Sequence, residues 1–215
     1  MKFRQFVERQ VYMHVAEYRS LYVFLAVLFF TGIIFGAVVV NSLSLSQKDD
    51  LFIYLQQFFG QVGDGQVTAD RDLFWESLMY NVKYIGLMFI LGLSVIGSPL
   101  ILLLLFLKGM AIGFTVGFLV NQMGVPGFSL SLVSVLPQNL IVVPVMIIVA
   151  VMSVAFSFRL IRQQFMKVQR QEPIFPHFFR MCLFLLVAVV LLASASAIEA
   201  FLSPTLLSWV TENVV

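Results

Sequence analysis

From Tyr80 to Asn121 the chain runs forty-two residues with two charges, Lys83 and Lys108. A bilayer's hydrocarbon core takes about 20 apolar helical residues per crossing, so this stretch is long enough for two. Backbone N–H and C=O groups cannot go unpaired in lipid, so runs of this kind must be helical. The expected fold is therefore all-α: a polytopic helical membrane bundle, a single integral membrane domain over 1–215. The whole chain agrees, with 60% hydrophobic and 11% charged residues against roughly 25% charged in soluble domains.

About five transmembrane spans can be counted: Tyr22–Val40, Tyr80–Gly97, Leu100–Val120, Leu136–Phe158 and Met181–Leu202. Gly97-Ser98-Pro99 suggests a tight hairpin between the second and third, because the residue before a proline avoids the helical region. A kinked helix to Leu107 followed by a re-entrant piece is the other reading. Four basic residues mixed with Glu8 and Glu17, and too long an apolar run, make the first span an anchor rather than a cleaved signal.

Charge sorts the connections. The N-terminal segment carries Lys2, Arg4, Arg9 and Arg19, and the 159–180 connection carries five basic residues against Glu172. The 41–79 connection has six acids against Lys48 and Arg71, and 121–135 has no charge. The positive-inside rule then predicts a multi-pass cell-membrane protein with its N-terminus and the basic 159–180 loop in the cytoplasm. The helical 41–79 loop and the C-terminus fall outside. Phe3, Val7, Val11, Val15 and Tyr18 share one helical face. They predict an amphipathic interfacial helix over 1–21, with a plain extension of the first span as the alternative. The uncharged 121–135 segment reads as a loop that dips into the interface or lies against protein.

No catalytic, cofactor-binding or metal-binding set emerges. His14 and His177 stand far apart without neighbouring carboxylates, Cys182 is alone, and no zinc-protease, hydrolase-elbow or P-loop motif is present. Gly60-Gln61-Val62-Gly63-Asp64-Gly65 follows no strand and is not a nucleotide fingerprint. Nothing points to nucleic acid. Intramembrane polar residues are costly and so more informative. Asn81, Gln138, Asn139 and Glu199 are the buried polar candidates; Glu199 is either an interfacial carboxylate or one hydrogen-bonded across helices. Lys108 can snorkel to the inner surface. Gly32 and Gly36, and Gly109, Gly113 and Gly117, recur every fourth residue and make bare stripes for close helix packing. Their partner is either another span or a second copy of the chain in a homodimer.

Asn81, Lys108-Gly109 with Gly113, Leu136-Pro137 through Pro144, and Ile198-Glu199-Ala200-Phe201 before Pro204 together resemble the stage II sporulation protein M family over the whole chain. In the wider family the span-four motif commonly has a histidine where this chain has Gln138 and an acid where it has Val142. This chain departs at both, leaving Glu199 as the surviving member. The resemblance implies a non-enzymatic scaffold of the sporulation septum. It would recruit and position two cell-wall-degrading partners, stage II sporulation proteins P and D, during forespore engulfment. The alternative function is a permease-like transporter subunit, against which no internal repeat is seen.

Overall fold

The computed structural model describes residues 17–63, 71–94, 96–165 and 174–202. Among them there are helices and tight turns and no strand. Helix α1 is Arg19–Val39, α2 Leu45–Gly63, α3 Arg71–Gly92, α4 Gly97–Met123, α5 Val125–Phe165 and α6 Ile174–Ala197. A π-helical turn, Ile198–Leu202, extends α6. The expected interfacial helix over 1–21 lies almost wholly outside the described residues, as do 166–173 of the basic connection and the C-terminal tail.

Among the described residues four helical stretches, not five, are long and apolar enough to cross a bilayer: Arg19–Ser42, Gly97–Met123, Val125–Arg162 and Met181–Phe201. The expected second span fails on composition. Its helix, α3, starts at Arg71 and carries Asp72, Glu76 and Lys83 before its apolar half, and it stops at Gly92, short of the expected Gly97. It nevertheless runs the length of the bundle. Ser77 meets Gln138 and Gly92 meets Ser153, so α3 and α5 are parallel. Tyr84 donates to the Leu104 carbonyl, and Lys108 sits over Tyr80, so α3 and α4 are antiparallel. Phe89 touches Phe178 while Ser77 touches Ser196, so α6 also opposes α3.

The turn between α3 and α4 takes in Leu93, Ser94 and Ile96, just before the expected position. Leu93 and Ser94 donate to the carbonyls of Ile90 and Leu91, and Gly97 N–H reaches the Ser94 carbonyl at 3.2 Å. A Cβ on Gly97 would lie 1.7 Å from the Leu91 carbonyl oxygen, so the return needs glycine there. Pro99 stands in the first turn of α4, where a missing N–H costs nothing.

The expected 121–135 loop does not exist. Helix α4 runs to Met123, Gly124 alone turns the chain with φ +63°, and α5 begins at Val125, eleven residues before the expected Leu136. Pro126 is tolerated in the first turn of a helix. Gly127 lets the elbow close, since a Cβ there would be 2.0 Å from the Leu119 carbonyl oxygen. Without charge, the segment has no reason to leave the bundle.

Helix α5 is the most buried of the four apolar stretches. Val142, Met146 and Val149 share one core cluster with Leu25 and Phe29 of α1, Ile85 and Met88 of α3, Ile101 and Leu105 of α4, and Leu192 of α6. The largest interface joins α1 and α4. A Cβ on Gly32 would stand 2.4 Å from the Phe106 oxygen, and one on Gly36 2.0 Å from that of Met110. Reciprocally, Gly109 faces the Phe29 oxygen at 2.4 Å and Gly113 that of Ile33 at 1.9 Å, while Gly117 meets Ala37. Numbers rise together on both sides, so α1 and α4 are parallel. Lipid is as apolar as leucine, so close backbone contact of this kind supplies the association. Val23, Phe24, Val27, Phe30 and Ile34 remain exposed on α1, as a lipid-facing surface should.

Candidate functional site, a polar crevice inside the bundle

Glu199 lies on the π turn, and an inserted residue of this kind re-aims side chains inside a helix. Its carboxylate points at α3 and α5. Ser77 of α3 donates to Oε2, and the Gln138 amide of α5 donates to the same oxygen. Ser77 has one hydroxyl proton, which the carboxylate takes. The Ser196 hydroxyl, 3.0 Å from Ser77 Oγ, then donates to Ser77. A carboxylate in an apolar bundle is tolerated only when hydrogen-bonded, and here two helices, α3 and α5, supply the donors.

Asn81 lies one turn further along α3, 2% exposed, and its Nδ2 donates to the Ser77 carbonyl at 3.0 Å. Its Oδ1 has no partner among the described residues. Asn139 is not part of the cluster. Its amide donates to the Val135 carbonyl of its own helix at 2.7 Å and borders a separate cavity. That cavity, about 390 Å³ between α1, α4 and α5, is otherwise almost entirely apolar; Ser131, on its wall, bonds its own helix.

Lys108 does not snorkel to an end of the bundle. Its ammonium lies 4.9 Å from the Tyr80 ring centroid and 5.8 Å from that of Tyr84, where ring quadrupoles attract a cation. Between Lys108 and Glu199 opens a crevice of about 350 Å³, with Glu76, Tyr80 and Leu73 toward its mouth. Sequence reasoning singled out Gln138 and Glu199 but not Ser77, Ser196 or the tyrosines. Serines are too common in membrane helices to signal, and only the α3–α4 antiparallel setting brings Lys108 over the rings.

Among the described residues no group of three or more His, Cys, Asp or Glu side chains could hold a metal ion. The arrangement offers one ammonium, carboxylate oxygens and amide or hydroxyl groups around a small space, a set suited to recognition.

A family model described as stage II sporulation protein M matches residues 25–204. No curated protein and no solved structure matches the chain.

Proposed function

The chain belongs to the stage II sporulation protein M family, and from that premise we propose that this sporulation-related membrane protein acts as a scaffold of the sporulation septum. It holds the cell-wall-degrading stage II sporulation proteins P and D at the membrane during engulfment and cleaves nothing itself. Its N-terminus faces the cytoplasm and its C-terminus the wall.

The observation that supports a docking role is helix α2. A capping box starts it: Ser44 N–H donates to Gln47 Oε1 at 3.0 Å, and Gln47 N–H to Ser44 Oγ at 3.3 Å. The helix forms no extended interface with another helix among the described residues. Ile53 and Tyr54 are 51% and 71% exposed. Lys48 ties it to the end of α4 through Asn121 at 3.3 Å. An ordered helix that leaves large apolar side chains uncovered offers a surface for a partner helix or loop. The exposed Trp75 and Met79 of α3 add to the same end of the bundle.

The test is co-purification from sporulating cells. Tagged wild-type chain should bring down both partners, and Ile53→Asp with Tyr54→Asp should lose them while still reaching the membrane. Retention of both partners by the double variant overturns α2 as the docking surface. Peptidoglycan digestion by the purified chain alone overturns the scaffold.

A further inference from the structure

The crevice between Lys108 and Glu199 is not closed by its own residues. All the hydrogen bonds that reach Glu199 go to Oε2, leaving Oε1 without a donor among the described residues. Lys108 has aromatic faces beneath it and feels the Glu199 charge across the crevice, but among the described residues it makes no hydrogen bond and no ion pair at contact distance. An ammonium in an apolar bundle normally pairs with an anion or a backbone carbonyl. An open donor site and an open acceptor site thus face one small space.

Its volume, about 350 Å³, lies at the small end of ligand pockets. A helix with its side chains is about 10–12 Å across and does not enter a space of that size. Tyr80, at the mouth, is 56% exposed and Leu73 37% exposed, so the crevice opens on the outer surface of the bundle. The occupant must bring an anion to Lys108 and a hydrogen-bond-donating cation to Glu199, and must reach them from the bundle exterior. Two carboxylates, Glu76 and Glu199, line the space against one ammonium, which disfavours an occupant of net negative charge. A quaternary ammonium has no N–H for Oε1, and the rings that would attract it already carry Lys108.

We propose that the crevice binds the phosphoethanolamine headgroup of a membrane lipid, phosphate on Lys108 and primary ammonium on Glu199, with the acyl chains leaving past Tyr80. This assignment is independent of the scaffold role and of its docking helix.

The experiment uses the full purified chain in detergent, with thermal melting and native mass spectrometry after addition of phosphatidylethanolamine, phosphatidylcholine or phosphatidylglycerol. The ethanolamine lipid alone should be retained and raise the melting temperature. Lys108→Gln and Glu199→Gln should each weaken its binding roughly tenfold or more, the loss expected for one charge-assisted hydrogen bond. Lys108→Arg should keep it. Free phosphoethanolamine should compete weakly, and binding as tight as the lipid's would overturn a lipid source. The wild-type comparison needs no variant to fold. Equal response to all three lipids overturns the proposal, as does stabilisation by phosphatidylcholine or phosphatidylglycerol alone.

Discussion

Gly113→Ala adds one methyl group at the tightest point of the α1–α4 contact. The new Cβ would lie 1.9 Å from the Ile33 carbonyl oxygen and 2.7 Å from Ile33 Cα. Ordinary contact begins at 3.4 Å, so the helices must part by about 1.5 Å locally. The obstructing atoms are backbone, so no rotamer change relieves them. A radial gap of about 0.5–1 Å already forfeits a quarter to a half of a dispersion contact, and the opening spreads to Gly109 and Gly36. Overpacking of this kind costs about 1–3 kcal/mol. Each kcal/mol is worth roughly 2–4 °C in a chain of this size, so the melting temperature should fall by several degrees. Gly86→Ala is the control, because a Cβ there meets nothing within 4 Å and alanine favours the helix. Thermal melts of both purified variants in one detergent give the answer. Equal melting temperatures, or a higher one for Gly113→Ala, would refute close backbone contact as the source of the α1–α4 association.

Gly124→Ala should cost about 1–3 kcal/mol for a purely conformational reason. Position 124 has φ +63° and open space around its Cα, so melting isolates the backbone term. Ser77→Ala removes a donor to Glu199 and should destabilise the bundle, by about 1–3 kcal/mol for a lost hydrogen bond to a charged group. The same change paired with Glu199→Gln should be less than additive in a double-mutant cycle. For the proposed orientation, a cysteine at Asp64 should react with an impermeant reagent added outside, and one at Lys167 should not, both in a Cys182→Ala background. The reverse pattern would invert the protein in the membrane.

The helical bundle was legible because uncharged runs such as 22–40 and 100–107 admit one structure in lipid. The span count failed at α3 because the apolar run from Tyr80 onward belongs to a helix that begins at Arg71 and breaks at Gly92. The loop expected at 121–135 failed because Gly124, Pro126 and Gly127 read as turn residues. One positive-φ glycine suffices there, and the other two fit inside helix α5. Glycine spacing outlined a stripe on each helix but not its partner, which depends on α1 and α4 running parallel. The crevice was the least legible part. Ser77, Gln138 and Glu199 are separated by 61 residues at each step, and no local pattern announces that three helices will bring them together.

The parallel pairing of α1 and α4 bears on how the chain is made. Gly32 and Gly109 are roughly 77 positions apart, so at about 5–20 residues per second α1 waits some 4–15 s for its partner to be synthesised. A bare glycine stripe tolerates that delay, since its backbone groups are already bonded within the helix. A carboxylate would not. Glu199 is synthesised after Ser77 and Gln138, so this carboxylate meets its donors already laid down.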